Sequence, residues 1–157
     1  MSYDFNADDI FEIAEQLEKN GANFYRKAAG STSDSAGKTL LLKLADMEDN
    51  HEKSFKELRA GLGEKEKAPL VFDPNDEAVL YLRAIADTRV FFEKQIDNTS
   101  LKEIYKSAIE AEKDSIVFYL GIKDAVPVKF GKDKIEAIIK EEMKHIRMLS
   151  AELLSLK

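Results

Sequence analysis

The sequence predicts an all-α protein, an antiparallel four-helix bundle built from a duplicated helix hairpin with an extra helix in the crossover. Three observations carry that prediction. Helix breakers gather at a few places, Gly30, Gly37, Gly61, Gly63, Pro69, Pro74, Pro127 and Gly131. Between them apolar residues recur three and four positions apart, the helical period, with no sustained alternation of two. The two halves also repeat each other at one constant offset.

The first helix is expected from Asn6, a good N-cap, to about Ala29, ahead of Gly30. A polar turn over 31–37 leads to a second, from about Lys38 to Gly61. A third is expected after Pro74, over 75–96, with Val79, Leu82, Ile85, Ala86 and Phe92 on its apolar positions. The fourth opens on a capping box, Ser100 with Glu103, and runs to about Lys123. The fifth begins near Lys132 and continues almost to the C-terminus. Long helices joined by short turns pack as an antiparallel bundle. One domain over 1–157 is expected, with hairpins at 6–62 and 100–156 and the crossover at 63–99.

The repeat has an offset of 94 positions and no gap. Glu18-Lys19 matches Glu112-Lys113, Phe24-Tyr25 matches Phe118-Tyr119, and Gly37-Lys38 matches Gly131-Lys132. Glu48 matches Glu142, and His51 matches His145.

Those matched pairs hold the chemistry. Glu18 shares a helix face with Phe11, Ala14, Gly21, Ala22 and Tyr25. Glu48 sits among Leu41, Leu44, His51 and Phe55; Glu112 among Tyr105, Ala108, Ile116 and Tyr119; and Glu142 among Ile135, Ile138, His145, Ile146 and Leu149. Each of the four bundle helices thus points one glutamate inward, and two of them add a histidine one turn later. Burying four uncompensated carboxylates costs many kcal/mol, and no Lys or Arg shares those stripes near them. Two divalent cations would balance four carboxylates. Glu-x-x-His places a carboxylate and an imidazole on one helix face, where they converge on one ion. One glutamate from each of two helices and Glu-x-x-His from each of two others is the ligand set of ferritin-like di-iron or di-manganese proteins. Carboxylate and imidazole donors suit iron, manganese or zinc. Tyr25 and Tyr119 lie seven residues after Glu18 and Glu112, placed to hydrogen-bond a ligand glutamate across the site.

Composition excludes other classes. Without cysteine there is no disulfide scaffold, thiolate zinc site, iron–sulfur cluster or cysteine nucleophile. A net charge of −6 is the wrong sign for a nucleic-acid binder. No apolar run reaches the ~20 residues of a membrane span, and the N-terminus lacks a signal pattern. A soluble, cytoplasmic protein is the expectation.

The segments Glu18-Lys-Asn-Gly-Ala-Asn-Phe-Tyr25, Glu48-Asp-Asn-His51 and Glu142-Met-Lys-His145 resemble the di-iron domain of the rubrerythrins, within the ferritin-like superfamily. The resemblance covers nearly the whole chain. It implies two iron ions, with manganese or zinc as substitutes, held by Glu18, Glu48, His51, Glu112, Glu142 and His145, with Glu48 and Glu142 bridging. It implies an oxidoreductase that reduces hydrogen peroxide or dioxygen. Rubrerythrins proper carry a four-cysteine rubredoxin domain, so here the electrons are expected from a separate donor such as a rubredoxin-like protein. Peroxide-reducing rubrerythrins place an extra glutamate one turn after the ligand matched by Glu112; the position here is Ser115. The alternative is a ferroxidase or iron-storage protein of ferritin type. Against haem binding as in bacterioferritin, Asp49 stands where that family has methionine. A homodimer is expected.

Overall fold

The computed structural model describes residues 7–63, 80, 84, 100–125 and 131–156. Among them are four helices and no strand: α1 (Ala7–Ser31), α2 (Ser35–Ala60), α3 (Leu101–Ala125) and α4 (Lys132–Ser155). The Asn6 cap and the expected helix over 75–96 lie outside the described residues.

Two helix ends differ from the sequence reading. Helix α2 starts three residues earlier than Lys38 because Asp34 caps it: its Oδ2 accepts from Gly37 N at 2.6 Å, with Asp34 in extended conformation. The turn after α1 therefore shrinks to 32–34, and Gly30 stays inside α1, whose last residue, Ser31, donates its hydroxyl to Ala28 O at 2.9 Å. The matched glycines Gly37 and Gly131 also play different parts. Gly37 lies in the first turn of α2, where an added Cβ would sit 3.0 Å from a Leu101 methyl. Gly131 caps α4 with φ +103°, a left-handed conformation that side chains resist, and an added Cβ would collide with Leu58. Ser100 caps α3 as expected, its Oγ accepting from Glu103 N at 3.1 Å.

Helix α1 packs antiparallel along α2, and α3 along α4; α1 also meets α3, and α2 meets α4. Charge pairs tie the first hairpin at both ends. Arg59, late in α2, reaches Asp8 at 2.9 Å and Glu15 at 3.2 Å near the start of α1. Arg26, late in α1, pairs with Asp49. Lys123 and Glu136, 3.7 Å apart, link α3 to α4.

The core divides into two apolar clusters. One, toward the start of α1, gathers Phe11, Phe55, Phe118, Tyr119, Ile122, Ile135 and Ile138. The other gathers Phe24, Tyr25, Leu41, Leu44, Ile104, Tyr105 and Leu149. On every helix the inward glutamate falls between the residues of one cluster and those of the other. A polar layer is thereby sealed between two dry ones. No described helix is long and apolar enough to cross a membrane.

Candidate metal centre

All six inward Glu and His side chains are buried and meet in that layer. They form two overlapping groups of four, Glu18, Glu48, His51 and Glu142, and Glu48, Glu112, Glu142 and His145; within each group one ligand-type atom from every residue lies within 4.8 Å of the others. Glu48 and Glu142 belong to both.

The atoms show how the sharing works. His51 Nδ1 lies 2.8 Å from Glu142 Oε1, 3.5 Å from Glu18 Oε2 and 3.6 Å from Glu48 Oε2. His145 Nδ1 lies 3.1 Å from Glu48 Oε1, 3.3 Å from Glu112 Oε1 and 3.3 Å from Glu142 Oε2. Each shared carboxylate therefore turns one oxygen to each imidazole. The two rings face each other, 5.6 Å between centroids and 18° from parallel.

Tyr25 and Tyr119 close the pattern. Tyr25 Oη donates to Glu112 Oε1 at 2.5 Å, and Tyr119 Oη donates to Glu18 Oε1. These bonds map onto each other at the offset of 94, so the pseudo-twofold of the sequence is a pseudo-twofold of the site. Burial, then the charges of Glu112 and Glu48, raises the Tyr25 hydroxyl well above its ordinary value; burial and Glu18 do the same for Tyr119. Both stay protonated donors at neutral pH, each holding one glutamate oxygen in place.

Without a cation the cluster's electrostatics are strained in a particular way. Burial, with the charges of Glu142, Glu112 and Glu18, raises the Glu48 carboxyl well above its ordinary range; burial with Glu112 and Glu18 raises Glu142. Burial alone would depress the imidazoles, but Glu142, Glu18 and Glu48 outweigh it at His51, and Glu112, Glu142 and Glu48 push His145 up to about 12. Glu18 and Glu112 are lowered against burial by the hydrogen bonds they accept.

Those protons do not satisfy the site. Among the described residues, Glu48 Oε1, Glu112 Oε2, both oxygens of Glu142, His51 Nδ1 and His145 Nε2 are buried with no aligned hydrogen-bond partner, close as some of them are. Native interiors rarely leave such groups, each costing about 1–3 kcal/mol. Here they belong to the residues of one buried cluster. This donor set fits a carboxylate- and imidazole-binding cation, and Glu48 and Glu142 belong to both candidate positions. The cluster fits binding of a di-metal centre.

Two residues lie beside this set. Ser115, buried one turn after Glu112, donates to Ala111 O at 3.1 Å, turning its hydroxyl to its own helix. Glu141, which the sequence reading passed over, places Oε2 2.5 Å from His51 Nε2. Its only sequence signal is adjacency to Glu142, and half of its side chain is in solvent.

No family model matches the chain, and no curated relative matches it. Among solved structures it is similar to the crystal structure, at 2.30 Å resolution, of a Thermotoga maritima protein described as ferritin-like and diiron-carboxylate. The two are 24% identical over 97% of each chain, with a TM-score of 0.70. At that identity the likeness establishes the fold: the four helices form a ferritin-like bundle.

Proposed function

We propose that this protein is a non-haem di-iron oxidoreductase of rubrerythrin type, reducing hydrogen peroxide or dioxygen with electrons from a separate donor protein. The observation that carries the reading is the splitting of the Glu48 and Glu142 oxygens between two buried imidazoles. A core has no use for two such carboxylates unless two cations sit between them.

Glu18 and His51 would complete one position, and Glu112 and His145 the other. A ferrous pair held by these residues would supply the two electrons that cleave an oxygen–oxygen bond. The chain's own residues do the rest. Glu48 and Glu142 hold the two positions at a fixed separation. Tyr25 and Tyr119 keep Glu112 and Glu18 turned inward. The apolar layers of Phe11, Phe55 and Tyr119 on one side and Tyr25, Leu44 and Tyr105 on the other exclude bulk water.

Anaerobic titration of the metal-free protein with ferrous iron should end at two ions per chain. Peroxide should then oxidise both ions with release of water, and a reduced rubredoxin-like donor should restore the ferrous pair. Glu48→Ala should abolish two-ion binding, and full occupancy in that variant would sink the assignment. Uptake well beyond two ions, in a large oligomer, would favour iron storage instead.

A further inference from the structure

The pseudo-twofold that relates the halves of the site breaks at one contact. His51 turns Nδ1 to the cluster and Nε2 outward, where Glu141 Oε2 waits 2.5 Å away. His145 also turns Nδ1 to the cluster, yet its Nε2 is buried with no hydrogen-bond partner among the described residues. The offset explains the difference: the residue matching Glu141 is Met47, which has no oxygen to offer. Every other polar contact of the cluster has its mate, including both tyrosine–glutamate bonds.

A histidine ligand whose second nitrogen donates to a carboxylate has its tautomer and ring angle fixed and its first nitrogen made more basic. Glu141 supplies that to His51 across the α2–α4 contact, from a side chain that is 53% exposed. His145 has no such outer partner among the described residues. We propose that Glu141 is a positioning residue for His51 and that the two cation positions are therefore unequal, the His51 position binding first and more tightly. This rests on the two-cation reading above.

Anaerobic cobalt(II) titration, followed by calorimetry and by visible absorption of the bound ion, reads the two steps separately. The wild-type chain should show two unequal steps. Glu141→Ala should weaken the stronger step about 10–100-fold and leave the weaker one in place, with Glu141→Gln losing less because its amide oxygen still accepts. Met47→Glu should strengthen the weaker step by a similar factor. Because Glu141 stands half in solvent, its pairing with His51 is screened, and the thermal unfolding midpoint of the metal-free Glu141 variants should fall by only a few degrees. If wild type binds two ions and Glu141→Ala moves neither step, or both equally, the positioning role is wrong and the site reading survives. If wild type binds no cobalt, both fall.

Discussion

Cobalt or ferrous ions entering the metal-free cluster must compete with protons, and the geometry sets how many. Burial and the neighbouring carboxylates push Glu48 and Glu142 toward the protonated form, while the hydrogen bonds that Glu18 and Glu112 accept push them toward the ionised form. His51 and His145 are raised and cationic. These directions predict a cation-free cluster of two anionic carboxylates and two imidazolium rings, neutral in sum. Two divalent ions with four carboxylates and two neutral imidazoles are neutral as well. Exchanging one state for the other releases about four protons, two per ion. Each proton released makes affinity rise about tenfold per pH unit, or about 1.4 kcal/mol, so each ion should gain roughly 100-fold per unit near neutrality. The folding stability of the metal-free chain has the opposite sign. Its four raised groups bind more protons folded than unfolded, so their contribution is complete below their ordinary values and is lost as pH rises toward their folded ones. The metal-free protein should begin to weaken above about pH 4.5, where the unfolded glutamates lose their protons, and more steeply above about 6.5, where the unfolded histidines do, while the loaded one tightens. Calorimetric titration in two buffers of different ionisation enthalpy counts the protons. Release of fewer than about one proton per ion, or about two for the pair, would refute the charge assignment.

Other outcomes follow from single contacts. Tyr25→Phe and Tyr119→Phe each remove a bond that orients a ligand-type glutamate; each should weaken cation binding about 10-fold in a chelator competition, and the pseudo-twofold requires the two losses to be similar. Gly131→Ala should destabilise the metal-free chain by about 2 kcal/mol, since φ +103° is strained for any Cβ and Leu58 must move. A thermal melt should show that as a fall of about 4–8 °C. Asp34→Ala removes the cap of α2 and should cost about 1 kcal/mol, measured by urea unfolding, without altering the number of ions bound.

The site was legible because duplication and burial speak in the same residues. A glutamate on an apolar stripe is expensive, so four of them at one offset point to a shared compensating charge. The tyrosines were legible by the same route, each seven residues beyond its matched glutamate. What escaped was whatever a neighbouring helix decides. Asp34 reads as one polar residue among several until Gly37 N is seen beneath it. Gly37 and Gly131 match in sequence, but only Gly131 faces Leu58 at a left-handed turn, so one match hides two conformations. Glu141 is half in solvent and looks like any surface acid; its partner, His51, is 90 positions away on α2.

That last case bears on how such a site comes to have two different halves. The residues that cannot change independently are those shared by both positions: Glu48 and Glu142 each give one oxygen to either imidazole, so losing one damages both positions together. Position 141 is under no such constraint, because Glu141 lies behind His51 alone, and position 47 is its match in the other half. A carboxylate there adjusts one position and leaves the other untouched. The symmetric inner set therefore preserves the capacity to hold two cations, while the outer contacts are free to make those cations different. Binding the pair symmetrically and tuning it asymmetrically are separate tasks, and the chain assigns them to separate residues.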